Sequence, residues 1–516
     1  MKNLLPSHIV HPEKLFCPPD SIPPELGERY RAEMQRLQRL PRRQQRALRK
    51  KWRMGLAGIA LVLALGSSLA TVQLARAAEI YVDGTSCTLA EAIVTANNGS
   101  LQAGCAQGDN GGDDTIYLQS NIVLTTPVSA VTNGSLTIEG SGYTIQRDPG
   151  STISFTVLSV GSTGNLTLNR ATIVGGLEPG NGGGISNLGT LSLNSCTISG
   201  NEAGSGGGIA NTGSLHIQGS TIASNNARYD GGGIYSNGGS IEIYDTTISG
   251  NVAGERGGGM FVDTSDTQVY GSAIISNTAT DNGGGVFFLG QSNALIGNST
   301  ISGNTSNNGG GVYNQQNSLT LRSATVSGNT GGGIYNYDST NSVASLRSSI
   351  VAFQASGDNC YAPMDSVIFS NGYNIESGAT CNLTNTGDQQ NVTVDALDLG
   401  PLQDNGGRTL THALLVSDSV AVDQIPLGFT GCLTTTLSSD QRGAVRADGP
   451  GRGGALCDTG AFEYDSYETP SILTGSVFST RAAPSGNPLI ALGGLLTAAL
   501  GSALAFWRKR KDNHPT

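Results

Sequence analysis

The chain has 516 residues, 74 of them glycine, with 5% aromatic residues, 13% charged residues and a formal net charge of −10. That composition argues against one large globular core and for many tight turns, and the glycines follow no three-residue period, which excludes collagen. Between Ala78 and Trp507 there is no lysine, and 33 acidic residues face 11 arginines, a balance of −22; nucleic acid is therefore not an expected partner, and the acidic surface reads as a solubility feature.

In chain order, residues 1–53 form a basic region that ends in a cluster of arginine and lysine at 42–53. Residues 54–77 are an apolar run closing on Ala75-Arg76-Ala77. Basic flank, apolar stretch and small-x-small ending predict a secretory signal peptide; the alternative is an uncleaved signal-anchor helix, for which the run is long enough. A second apolar run at 488–507 is followed by the basic tail 508–516. Its length suffices to span a bilayer, and the basic tail is expected on the cytoplasmic side. Both ends then place residues 79–487 outside, with 465–487 as a flexible Ser/Thr/Gly/Pro spacer.

Inside that region a repeat dominates. Glycine triplets begin at 182, 206, 231, 257, 283, 309 and 331, and each is followed by an apolar residue: Ile185, Ile209, Ile234, Met260, Val286, Val312, Ile334. TISGN-like elements recur with them and end on Asn201, Asn225, Asn251, Asn277, Asn304 and Asn329. A period near 25 residues marks a solenoid. Alternating segments such as SLHIQ at 214–218 and SIEIY at 240–244 make its units strands rather than helix pairs. The expected fold class is all-β: a right-handed, single-stranded parallel β-helix flanked by membrane-targeting helices. It has a cap and first coils at 79–175, regular coils at 176–357, and last coils with a disulfide-bearing cap at 358–464 that closes the column. The asparagines are expected at corners, where Asn tolerates left-handed backbone and stacked amides bond along the array. Repetition in every coil favours that structural role over ligand binding.

Eight cysteines are present. Cys17 precedes the signal, Cys196 is an unpaired core residue, and short-range pairing in an exported chain suggests Cys87–Cys105, Cys360–Cys381 and Cys432–Cys457.

Three resemblances carry further expectations. CTLAEAI at 87–93, with ANN at 96–98 and DDTIYL at 113–118, resembles the CSLREA domain of secreted bacterial proteins, with Ala90 in place of the usual arginine; the resemblance implies an N-terminal β-helix cap without assigned chemistry. The GGGI and ISGN elements are similar to polymorphic outer membrane protein repeats, without a following β-barrel. The series DNC at 358–360, GYNI at 372–375, LGPL at 399–402, DNGG at 404–407, THAL at 411–414, DQRG at 440–443 and CDTGAFE at 457–463 resembles choice-of-anchor Q domain-containing proteins. That resemblance implies a bacterial surface protein with a β-helix body and a variable C-terminal anchor. No LPxTG motif is present, so a membrane helix is the expected anchor.

β-Helices host polysaccharide lyases and hydrolases, and that is the alternative function. A lyase needs a cation and an Arg or Lys base, but Arg228, Arg256, Arg322 and Arg347 fall at scattered coil positions. A glycosidase needs two facing carboxylates; Glu242, Asp245, Asp263 and Asp266 lie in neighbouring coils. His216 and His412 are the exported histidines, and His412 is expected to pack rather than act as a base. DNGGDD at 109–114 is read as a polar loop rather than a calcium site. No catalytic residue, cofactor or metal is expected. The residue after each inward apolar position is Tyr235, Phe261, Phe287, Tyr313 or Tyr335. This ladder is expected on an exposed face, either as a glycan-stacking or adhesive strip or as rings that stabilise one another. The function read from the sequence is a cell-surface structural or adhesin-like protein, held in the cytoplasmic membrane by its C-terminal helix, with a carbohydrate or cell-surface ligand as its expected partner.

Overall fold

In the computed structural model the described residues are 78–464, apart from 100, 101, 103, 106–112, 133, 338–341, 364–365, 430–431, 433–438 and 447–455. Both apolar segments, 54–77 and 488–507, lie outside the described residues. Among the described residues no helix is long and apolar enough to cross a membrane.

The chain winds into a parallel β-solenoid. Sheet A has 12 strands, from Glu79–Val82 to Val367–Ser370; sheet B has 11, from Ile122–Leu124 to Ile375–Glu376; sheet C has nine, from Leu158–Val160 to Cys360–Tyr361. A five-stranded ledge, sheet D, runs from Leu177–Asn181 to Thr278–Ala279. Each strand pairs with its counterpart one coil away, so equivalent residues stack in register. Ile185, Ile209, Ile234, Met260, Val286, Val312 and Ile334 form one inward row of sheet C, all at 0–1% exposure. With matching rows in sheets A and B, they form one continuous core from Ile80 to Leu383, in which each buried aliphatic side chain contributes about 1.5–3 kcal/mol.

The third glycine of each triplet has a packing reason. A Cβ on Gly259 would sit 2.6 Å from the Gly285 carbonyl oxygen and 3.1 Å from Asn277 Nδ2. The asparagines are wholly interior: Asn225, Asn251, Asn277 and Asn304 are 0–1% exposed. Each Nδ2 donates to the Oδ1 of the asparagine one coil on, at 2.9–3.0 Å from Asn201 to Asn329. The row ends on Gln354 Oε1 at 3.1 Å. One detail of the expectation is corrected. The left-handed residue is the one before each asparagine: Gly200 (φ 62°), Ser224 (55°), Gly250 (60°), Ser276 (53°), Gly303 (65°), Gly328 (69°). That turn aims the asparagine side chain inward.

A second polar row, not recognised from the sequence, lines the corner between sheets A and B. Ser220 Oγ accepts from the Cys196 amide at 3.0 Å, Thr246 Oγ1 from Ser220, Ser272 Oγ from Thr246, and Ser299 Oγ from Ser272. Cys196 occupies a hydroxyl position of this row. Its thiol donates to the Leu168 carbonyl at 3.1 Å, and burial pushes its pKa up to about 11.

At the N-terminal end the helix Leu89–Asn98 buries Leu89, Ala92 and Ile93 against the core, held by a capping box between Thr88 and Glu91. The Cys87–Cys105 disulfide closes the loop that carries it. Cys360–Cys381 and Cys432–Cys457 are also bonded.

The C-terminal region differs from the expected end cap. Cys381 and Leu383 cover the last turn of the core, but the described residues of 394–464 lie along the outer face of sheet B. The reason is visible in burial. The outward residues of sheet B are half-buried in strands Thr197–Ser199, Thr221–Ala223 and Thr247–Ser249. They are buried in Ala273–Ile275, Thr300–Ser302, Thr325–Ser327 and Ile350–Ala352. Hydrogen bonds fasten this flank module: Asn298 to the Ser439 carbonyl at 2.6 Å, Thr300 to Gln441 at 2.6 Å, Ser302 to His412 at 2.9 Å, and the Ala461 amide to Thr325 at 3.1 Å.

Candidate functional site

The aromatic ladder is aligned. Tyr235, Phe261, Phe287, Tyr313 and Tyr335 stack with centroid spacings of 5.3, 5.3, 4.9 and 4.8 Å and interplanar angles of 4–11°. Tyr361 extends it by one rung at 4.7 Å; the break in the glycine repeat after Ile334 hid that residue from sequence reading. The expected exposed face is corrected: Phe261, Phe287 and Tyr313 are only 2%, 1% and 7% exposed. Strand spacing in a parallel sheet, about 4.8 Å, stacks the rings face on face, so the surfaces a sugar would use are occupied by neighbouring rings. Arg256, bonded through two nitrogens to Asp230, lies over Phe261 and Phe287 at 4.8 and 5.3 Å. Burial also raises the Tyr313 pKa.

The four candidate carboxylates occupy four different positions of the coil. Glu242 stands in the middle outward row of sheet A, beside Gln268, and its carboxylate accepts from His216 Nδ1 at 3.3 Å. Asp266 stands in another row of the same face, beside Ser240. Asp245 sits in the corner after sheet A with φ 50°; burial raises its pKa against the opposing pull of Arg408. Asp263 ends a strand of sheet C, and burial raises it too. They line one flank or another of a rod and do not face one another across a cleft. Asp114, from the DNGGDD loop, accepts from the Ala78 amide at 2.9 Å and so ties the first strand down. Among the described residues no three potential metal ligands come together. His412 is buried; Nε2 meets Ser302 Oγ at 2.9 Å and Nδ1 meets the Gly400 carbonyl at 2.7 Å. Burial lowers its pKa.

Sequence reading missed one surface concavity. An open groove of about 490 Å³ runs down the outward face of sheet A, lined by Asp266, Gln268, Thr320, Arg322, Arg347 and Asn371 among others. Arg322 and Arg347 are register partners in adjacent strands. Two rungs earlier the same row carries Tyr270, and between them stands Gly297. A Cβ at Gly297 would fall 2.4 Å from Tyr270 Cε1, so glycine leaves room for the tyrosine ring to lean over the sheet toward Arg322. The signal was present as R-x-x-x… spacing of 25 residues between Arg322 and Arg347, one repeat period, but it needed the register to be known.

No family model matches the chain, and no curated protein or solved structure is detectably similar to it.

Proposed function

We propose that this protein is a cell-surface column: a right-handed β-helix displayed outside the cell and tethered to the cytoplasmic membrane by residues 488–507, with a structural or adhesin-like role. The resemblance to choice-of-anchor Q surface proteins and the basic segments at both ends support that placement. The observation that carries the role is the in-register stack of sheet A from Glu79–Val82 to Val367–Ser370 over one continuous core, with its asparagine row bonded rung to rung. Such a stack shares its core between neighbours along its whole length and makes a stiff rod. In this reading the aromatic ladder stiffens sheet C instead of stacking sugars. The catalytic alternative has less support, because among the described residues Asp266 is the sole carboxylate lining the groove, whereas glycoside hydrolysis requires two.

The test is cell fractionation with protease added from outside. The full chain should sediment with membranes and lose residues 79–487 to external protease only after prolonged digestion or heating. A chain ending at Asn487 should be released into the medium. Protection of the ectodomain inside intact cells would refute the reading.

A further inference from the structure

We propose that the C-terminal end of the column seats in the interface of a bilayer of neutral, zwitterionic lipid, through a belt of apolar side chains on its last two coils. The proposal rests on the tethered-column reading above.

The outward face of sheet A changes character along the rod. One outward row runs through Ser214, Ser240 and Asp266, reaches Asn293 and Ser318, and turns apolar at Val343 and Val367. The middle row passes Thr320 and Ser345 and ends on Phe369. On sheet C the same two coils carry Tyr337 and Tyr361. Beyond the last strand of sheet B the Val392 amide donates to the Glu376 carbonyl, which brings Val394 to this end. Phe429 rests edge-on against Tyr373 of the last coil at 4.7 Å and carries Leu427 with it. Tyr337, Tyr361, Val367, Phe369, Val394 and Leu427 are between 38% and 62% exposed. In the middle of the column exposed large apolar residues stand apart, as at Leu188, Tyr229 and Val252.

A clustered apolar surface in water calls for a partner, and its distribution gives the partner's shape. The belt occupies three sides of one end of the rod. A sugar or peptide lying along the rod would reach one side only, whereas a plane across the rod axis reaches all three. Two coils stand about 10 Å tall, the depth to which interfacial elements sink at the headgroup boundary, about 5–10 Å. Tyrosine suits that depth, with its ring in the apolar layer and its hydroxyl wet.

The path of the chain places the bilayer at this end. Tyr464 packs against the cluster that holds Ile375 and Val392, and residues 465–487 lead from it to the apolar run at 488. A Ser/Thr/Gly-rich chain of that length has an end-to-end distance of about 26 Å. The 12 strands of sheet A stack to about 50 Å, so the tether favours the near end over the far one. Tethering also supplies a high effective concentration, so a weak contact suffices. Charge selects the lipid. Asp358 and Asp395 are exposed at this end and the exported region carries −22, so burial of apolar area, not attraction to anionic headgroups, drives the contact. A second copy meeting the belt end to end would bring both sets of aspartates together.

The test uses the full chain in phosphatidylcholine proteoliposomes. Trp52→Phe and Trp507→Phe remove the two native tryptophans, and Phe369→Trp supplies a single reporter. Lipid brominated high on its acyl chains should quench this reporter several-fold more than one introduced by Tyr229→Trp at mid-column. Quenching should survive high salt and weaken when phosphatidylglycerol replaces part of the lipid. Adding Tyr361→Asp and Leu427→Asp should cut quenching several-fold with the melting temperature unchanged. Val367→Ser, a milder change at an exposed position, should shift it in the same direction if the double variant fails to fold. Equal quenching at the two reporters, loss in high salt, stronger quenching with phosphatidylglycerol, or variants that quench like the parent would each overturn the proposal. A blue shift that follows protein-to-lipid ratio without bromine quenching would assign the belt to a second copy and overturn it too. Sedimentation separates the two readings: a chain that pellets with the vesicles but is not quenched sinks the docking alone, and a chain that does not pellet sinks the column reading and the docking with it.

Discussion

The column and the flank module hold together in opposite ways. In the column each residue's partners are its own equivalents one coil away, so hydrogen bonds span 26–27 residues and repeat: Asn225 to Asn251, Asn251 to Asn277, Asn277 to Asn304. In the module the fastening contacts reach 110–148 residues along the chain and occur once each, as with Ser302 and His412 or Arg446 and Asn298. The column is therefore stabilised as a sum of neighbour terms, each of which propagates along the stack. The module depends on a few buried polar contacts that succeed or fail together. Its distinctive motifs serve that purpose. Asp440 accepts from the amides of Arg442, Ala444 and Glu463, and Arg446 meets the Glu463 carboxylate at 3.2 Å with both side chains at most 2% exposed.

The sharpest way to break this contrast is Arg446→Ala. Removing one partner of a buried ion pair leaves an uncompensated charge, at a cost of about 3–5 kcal/mol. Calorimetry should show the module's transition collapsing while the column's remains, and limited proteolysis should cut within residues 394–464 first. Simultaneous loss of both would mean that the two regions form a single cooperative unit. A smaller effect is expected in the column. Asn251→Ala strips the Asn225 amide and Nδ2 and the Ile222 carbonyl of their partner; each buried group left unsatisfied costs about 1–3 kcal/mol. Here the column transition should fall and the module, docked lower on sheet B, should follow. A local change confined to neighbouring coils would contradict neighbour coupling.

The gentlest perturbation is acid. The Gly400 carbonyl requires the proton on His412 Nδ1, so Nε2 of the neutral ring accepts from Ser302. Burial holds the folded pKa below the ordinary 6.5, so the unfolded module binds the proton more readily. The neutral ring's contribution is fully present above pH 6.5 and is lost as pH falls through the folded value. Module stability measured against pH should decline over that window, and His412→Gln should flatten the decline. An unchanged slope in the variant would assign the pH dependence to other groups.

Particular residues show how far the sequence could be read. Ile185, Ile209 and Ile234 were legible as an inward row because the glycine period fixes where each coil restarts, and the asparagine row was legible for the same reason. The hydroxyl row through Ser220, Thr246 and Ser272 was not, because serine and threonine at a corner look like ordinary turn residues until their amides are seen to bond upward. The aromatic ladder was visible as a row, but its burial was not, since exposure depends on how the rings tilt and on Arg256 reaching over them.

The sequence by itself determined the period, the inward and outward alternation and the asparagine stack, because each of these rests on local geometry or on the nearest coil, and repetition amplifies a weak local signal; it suggested three cysteine pairs, whose connectivity the structure decided. Tertiary structure alone decided which outward rows are covered and which stay open. Thr247–Ser249 and Thr300–Ser302 carry the same TIS triplet, yet the second lies beneath the module and the first does not. The juxtaposition of Arg322 with Arg347, with room made by Gly297 for Tyr270, likewise exists only once coils are in register. Contacts more than a hundred residues apart leave no periodic trace in a chain, so their outcome is set by packing.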